Sequence, residues 1–155
     1  GGGLPLVADR PSMGPWEAFV TTDLNGGFLE SGDLIGLQAH NGLYLCAEGG
    51  GGQNVVANRM SCGSWERFRI YKMSGSGVIR TGDQVYLKVH NGNYWCAEDG
   101  GGGVVNANRT SVGGWETFYV TVDINGPNSN SVFIDVSGDG IPDEILLRLL
   151  LLSGQ

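Results

Sequence analysis

Three tryptophan–glutamate pairs recur along the chain at intervals of about fifty residues: Trp16-Glu17, Trp65-Glu66 and Trp115-Glu116. An exposed indole offers a flat apolar surface whose negative face attracts polarised C–H groups. A neighbouring carboxylate accepts hydrogen bonds from two adjacent hydroxyls, and ionised acceptors form the stronger bonds. Because a pyranose ring has an apolar C–H face and a rim of hydroxyls, each pair is suited to recognising a sugar.

Further polar residues precede each pair by seven positions and could donate to or accept from sugar hydroxyls. They are Asp9, Asn58 and Asn108, and each is followed by an arginine that we expect to form a structural ion pair. A phenylalanine follows each tryptophan by three residues. If the chain is extended here and the phenylalanine faces the core, the alternation of a strand directs the tryptophan outward and the glutamate inward. Alternatively, the glutamates hold backbone amides at a corner and the tryptophans pack internally. Trp95, which replaces Leu45 of the preceding unit, could add one more contact.

The elements that must position these residues belong to a repeated unit of about fifty residues. The unit opens with His-Asn-Gly-x-Tyr at 40–44 and 90–94, continues through a glycine run and Val-x-Ala-Asn-Arg, and closes with Gly-x-Trp-Glu-x-Phe. Asn-Gly suits a tight hairpin turn, and the flanking apolar alternation predicts short strands. No amphipathic helical period is seen before residue 140. Three units of four strands predict an all-β chain of the β-trefoil type, because a propeller normally needs at least four blades.

The predicted domain spans residues 1–155 and is permuted. Residues 1–30 form the back half of repeat one, 31–80 form repeat two and 81–125 form repeat three. The tail, 126–155, would supply the strands that complete repeat one and leave no open edge, or it would begin a different module. The missing front half makes the Trp16 site the least complete of the three.

These motifs resemble the fascin-like β-trefoil family over roughly residues 1–120. The glycine-rich, Trp-Glu version is similar to bacterial carbohydrate-binding modules that recognise β-glucans. The resemblance implies a small, trivalent, non-enzymatic binder of polysaccharide or oligosaccharide, with a Trp and a Glu central to each site. The alternative within the family is a protein-interaction module that cross-links actin, as fascin does. The resemblance also implies a secreted, extracellular location, and we expect a monomeric module of a larger secreted enzyme or lectin.

A catalytic role is not expected, because no nucleophile–base pair or zinc-type ligand spacing is present. No cofactor is required by this interpretation. One acidic segment nevertheless places oxygen ligands at alternate positions around a glycine, as calcium loops do. Its candidate calcium ligands are Asp135, Ser137, Asp139 and Asp143, and an acidic solvated turn is the alternative.

Charge and composition exclude some partners. The formal net charge is −7 with a pI near 4.6, so binding to nucleic acid or to an anionic membrane surface is disfavoured. Cys46 and Cys96 occupy equivalent positions that a threefold fold holds apart, so we expect two small buried thiols and no bond between them. The opening Gly-Gly-Gly fits a processed or excised domain.

Overall fold

The structure is a computed structural model that describes residue 6 and residues 18–39, 41–101, 103–122 and 131–135. Within these residues the chain forms ten antiparallel strands: β1 (Ala18–Asp23), β2 (Leu34–Gln38), β3 (Tyr44–Ala47), β4 (Val55–Arg59), β5 (Arg67–Lys72), β6 (Gln84–Lys88), β7 (Tyr94–Ala97), β8 (Val105–Arg109), β9 (Phe118–Val122) and β10 (Ser131–Asp135). Four one-turn 3-10 helices separate them: Glu48–Gly50, Ser64–Glu66, Glu98–Gly100 and Gly114–Glu116. The predicted all-β character is therefore confirmed.

Six of the strands pair in a cycle. β1 pairs with β2, β2 with β5, β5 with β6, β6 with β9, β9 with β10, and β10 returns to β1. The remaining strands form two hairpin arms, with β3 joining β4 to β2 and β7 joining β8 to β6. The tail strand β10 thus lies between the first strand of the described chain and the last strand of residues 81–125.

Residues 31–80 and 81–125 repeat the same order of elements, strand–strand–helix–strand–helix–strand. The predicted Asn-Gly turn is present in both. Gly42 and Gly92 adopt φ of 84° and 94°, and their amides donate to the carbonyls of Ala39 and Val89. A left-handed φ is strained for residues with a Cβ, which explains glycine at this turn position.

Equivalent residues of the three predicted units meet at one place. The Leu6 amide donates to the Val55 carbonyl at 2.7 Å, and the Val105 amide donates to the Leu6 carbonyl at 2.7 Å. In the sequence Leu6, Val55 and Val105 hold the same position before Ala-Asp/Asn-Arg. Leu6 therefore joins the two hairpin arms at strands β4 and β8.

One hydrophobic core fills the interior. The three predicted core phenylalanines, Phe19, Phe68 and Phe118, are all buried, with at most 2% of their surface exposed. Trp95 is completely buried between two of them, edge-on to Phe68 at 5.1 Å and to Phe118 at 6.1 Å. Its predicted ligand contact is therefore wrong, because the larger side chain in place of Leu45 fills the interior. Among the described residues there is no helix long and apolar enough to cross a membrane.

Candidate functional site

Trp65 and Trp115 lie at the surface, at equivalent places on the molecule. Each occupies the middle of a 3-10 turn, Ser64–Glu66 or Gly114–Glu116, rather than the extended chain from which their orientation was predicted. The side chains nevertheless point as expected, since Trp65 is 40% exposed and Trp115 is 46% exposed. The alternative, that these tryptophans pack in the core, is therefore wrong for both Trp65 and Trp115.

The glycine runs support the two indoles. A Cβ placed on Gly50 would lie 2.9 Å from Trp65 Nε1, and one placed on Gly100 would lie 3.0 Å from Trp115 Nε1. Both distances are shorter than an ordinary van der Waals contact of about 3.5–4.0 Å. Both glycines also have a left-handed φ, 78° and 72°. Only glycine at these positions lets the backbone approach the indole edge. The indole therefore contacts the backbone along one edge while the rest of it stays partly exposed to solvent.

Glu66 and Glu116, the partners of these tryptophans in the sequence, are buried and only 6% and 8% exposed. Glu66 Oε2 accepts a hydrogen bond from the Gly63 amide at 2.8 Å, and Glu66 Oε1 lies 3.6 Å from Arg59 Nε. Glu116 Oε1 lies 3.9 Å from Arg109 Nε. For Glu66, the geometry matches the alternative role of holding a backbone amide at a corner. Direct contact of these carboxylates with a ligand stays a prediction.

Arg59 and Arg109 form the structural ion pairs that were expected of them, and each connects one of these glutamates to a second carboxylate. Arg59 Nη2 donates to Glu48 Oε2 at 3.0 Å. In the next repeat Arg109 Nη2 donates to Glu98 Oε2 at 2.8 Å. Each guanidinium therefore lies between two carboxylates. The cluster attaches the 3-10 turn, which carries the tryptophan, to the strand that precedes it.

The predicted contacts Asn58 and Asn108 belong to the same clusters. The Oδ1 atoms of Asn58 and Asn108 accept hydrogen bonds from Nη1 of Arg59 and Arg109, respectively. Asn58 Nδ2 also donates to Glu48 Oε1 at 3.2 Å. Asn108 is exposed and Asn58 is half-buried, so Asn108 has more of its amide open to solvent.

His90 and Asn91 lie beside Trp65 and were interpreted from the sequence only as turn residues. The Asn91 amide donates to the Gly50 carbonyl at 2.9 Å, and His90 Cδ2 lies 3.2 Å from the Cβ position of Gly50. His90 is exposed, and neither of its ring nitrogens bonds to a residue that the structure describes. A turn of the following repeat thus borders the tryptophan, which spacing within one repeat could not reveal.

Several predicted residues fall outside the described part of the chain. These are Asp9, Trp16 and Glu17 of repeat one and the candidate calcium ligands Ser137, Asp139 and Asp143. Asp135, the remaining candidate ligand, is the last residue of β10. Among the residues that are described, no cluster of three or more His, Cys, Asp or Glu side chains is arranged to hold a metal ion.

The cysteines behave as buried thiols, as expected. Cys46, Cys62 and Cys96 are all unpaired, and Cys46 and Cys96 are completely buried. Desolvation raises the pKa of Cys46 to about 12 and that of Cys96 to about 11, with Glu66 and Glu116 adding to the respective shifts. A thiol with so high a pKa is a poor nucleophile at neutral pH.

Comparison of the chain with models of known protein families finds no match, and comparison with curated protein sequences finds no significant match.

Proposed function

We propose that this chain is a β-trefoil that binds polysaccharide without catalysis, through one exposed tryptophan site in each repeat. The observation that carries the proposal is the pair of half-exposed indoles, Trp65 and Trp115, backed by Gly50 and Gly100 at equivalent positions. A tryptophan left open to water loses the stabilisation of burial, and contiguous exposed apolar surface commonly marks a binding site. Repetition of the same arrangement makes a chance exposure a poor explanation.

The chemistry of an exposed, rigid indole favours a sugar ring. Its face is apolar and electron-rich, which matches the C–H face of a β-linked pyranose. Because the indole edge contacts glycine backbone in both sites, little conformational freedom is lost when the ligand binds. β-Linked glucan is the class of ligand that the family resemblance favours.

The cycle of six paired strands and the two hairpin arms support the trefoil proposal. In the proposed trefoil, residues 1–30 are the back half of repeat one, and the tail, which includes β10, supplies the strands that complete this unit. The meeting of Leu6, Val55 and Val105 supports this arrangement, because these residues hold the same position in each unit.

A binding role without hydrolysis agrees with the way the carboxylates are used. Glu66 and Glu116 are buried and face arginines, while hydrolysis of a glycoside needs two carboxyl groups that reach the scissile bond. Repeated weak sites on one rigid body suit a polymer, because the second contact is intramolecular and raises overall affinity by about 10²–10⁴. We expect affinities per site on the order of millimolar to micromolar. The module would be monomeric, extracellular and part of a larger secreted enzyme or lectin.

Retention on insoluble β-glucan tests the proposal. Replacement of both Trp65 and Trp115 by alanine is expected to lower retention about 100-fold or more, because the multivalent contribution is lost. A matched control is the double variant Leu24→Ala/Phe28→Ala, which removes two other exposed apolar side chains (43% and 58% exposed). Retention that survives the tryptophan change, or falls equally in the control, would contradict the proposal. Co-sedimentation with filamentous actin tests the fascin-type alternative on the same variants.

A further inference from the structure

A groove of about 550 Å³ lies where the two described repeats meet. Its walls come from β2, β5 and β6, from the start of the 3-10 turn that carries Trp65, and from the turn after β6. The lining residues are Leu34, Ser64, Arg67, Arg69, Tyr71, Lys88, Val89, His90, Asn91 and Gly92.

The groove carries positive charge on an otherwise acidic chain. Three Lys and Arg residues line it, and no Asp or Glu side chain in the described part of the chain does. Arg67, Arg69 and Lys88 form no ion pair with any carboxylate that the structure describes. In the described part of the chain, Arg67 Nη2 donates to the Cys62 carbonyl and Arg69 Nη1 donates to the Gly32 carbonyl. With five N–H donors each, both keep donors for a ligand.

The strand register brings like charges together. Arg69 of β5 lies directly opposite Lys88 of β6 in the antiparallel ladder. Like charges at directly opposed positions destabilise a sheet. An anion bound in the groove would reduce any repulsion between the two cations, so the pairing favours a negatively charged ligand.

An aromatic surface adjoins these cations. Tyr71 lines the groove and stacks on Tyr86 at 5.1 Å between ring centroids, and Tyr86 meets the ring of Tyr94 edge-on at 5.6 Å. Lys88 Nζ lies 5.9 Å from the centroid of the Tyr94 ring. A flat apolar ring beside guanidinium groups favours an anion that is carried on a sugar ring over a bare inorganic ion.

The groove adjoins the Trp65 site and differs from the equivalent region beside Trp115. Ser64 precedes Trp65, and His90 borders the same glycine that supports its indole. At the positions that correspond to Arg67 and Arg69, the next repeat has Thr117 and Tyr119. The Trp115 site therefore lacks both arginines.

We propose that this groove binds the anionic group of an acidic sugar unit, a carboxylate or a sulfate ester, in a polysaccharide that stacks on Trp65. This inference rests on the proposed carbohydrate binding and makes the repeats unequal, because the Trp65 site selects a charged unit and the Trp115 site does not. Arg67 and Arg69 bind the anion through charge-assisted hydrogen bonds.

Calorimetric titration of the whole chain tests this inference with three probes: an oligosaccharide of β-linked glucuronic acid, its uncharged methyl ester, and a sulfated β-linked gluco-oligosaccharide. We expect at least one charged probe to bind about tenfold or more tightly than the methyl ester, the equivalent of about 1.4 kcal/mol. Arg69→Gln should remove that preference. Arg80→Gln is the matched control, because Arg80 is exposed, lies outside the groove and changes the net charge equally.

Which charged probe binds distinguishes a carboxylate from a sulfate ester, and either result supports the inference. Equal binding of the charged probes and the methyl ester would overturn it while leaving retention on neutral glucan, and thus the proposed function, intact. A preference that persists in Arg69→Gln, or that Arg80→Gln also removes, would overturn it as well. So would equally tight binding of a polyglutamate peptide, because the groove would then recognise charge without a sugar ring.

Discussion

Substitution of Gly50 by alanine isolates the role of the glycine run in holding the indole of Trp65. The new Cβ would lie 2.9 Å from Trp65 Nε1 and 3.2 Å from His90 Cδ2. Because favourable contacts lie at about 3.5–4.0 Å, the indole must move by roughly 0.6–1.1 Å. The left-handed φ of 78° adds a conformational cost of roughly 1–2 kcal/mol to the free energy of folding.

Gly52→Ala is the matched control, because Gly52 also has a positive φ, 93°, but a Cβ there meets nothing within 4 Å. Gly52→Ala should therefore lose roughly 1–2 kcal/mol of stability in urea unfolding, and Gly50→Ala should lose more because its Cβ also displaces the indole. Only Gly50→Ala should shift the indole N–H resonance of Trp65 in a ¹H–¹⁵N spectrum, with the resonance assigned from Trp65→Phe, and only it should weaken sugar binding at that site. An unshifted Trp65 resonance in Gly50→Ala, or an equal shift in Gly52→Ala, would refute this account of the glycine run.

Three further predictions concern the scaffold. Glu66→Ala should lower the free energy of unfolding by roughly 1–3 kcal/mol, because the Gly63 amide and Arg59 lose a buried acceptor. Glu66→Gln keeps an acceptor oxygen and should lower the free energy of unfolding by less. Equal urea midpoints for the two variants would contradict this prediction. Trp95→Leu should cost roughly 2–4 kcal/mol through the cavity it leaves in the core, and a midpoint equal to that of the unmodified chain would show that the indole is not packed as described. Burial raises the pKa of Cys46 and Cys96 above 9.0, the ordinary value of a thiol, so their contribution to stability is present below about pH 9 and is lost as the pH rises toward about 12 for Cys46 and about 11 for Cys96. Cys→Ala variants unfolded in urea between pH 8 and pH 10.5 should therefore lose less stability over this range than the unmodified chain, and an equal loss would contradict the reasoning.

The all-β character could be predicted from the sequence because its signals are local and repeated. Asn-Gly turns, glycine runs and alternating apolar residues each restrict the backbone within a few residues, and two complete copies reinforce one another. The burial of Phe68 and Phe118 and the exposure of Trp65 and Trp115 followed from the same pattern, although the turn that exposes the tryptophans is 3-10 rather than extended.

The composition of the site was harder to predict, because it depends on contacts between distant segments. The burial of Glu66 follows from its contacts with Gly63 and Arg59, and adjacency to Trp65 in the sequence does not reveal them. The groove brings Arg69 opposite Lys88 through strand pairing, and pairing register cannot be read from one repeat alone. The prediction that Trp95 adds a ligand contact was wrong, because residue type alone does not distinguish a ligand-binding tryptophan from one that packs in the core.

The most direct test of the central claim is a titration with β-linked gluco-oligosaccharides followed at the indole N–H resonances of Trp65 and Trp115. Binding at the exposed indoles predicts progressive shifts of both resonances, while the resonance of the buried Trp95 stays in place. Saturating saccharide that leaves the Trp65 and Trp115 resonances unmoved, or that shifts only Trp95, would contradict the claim that these two tryptophans form the sugar-binding sites.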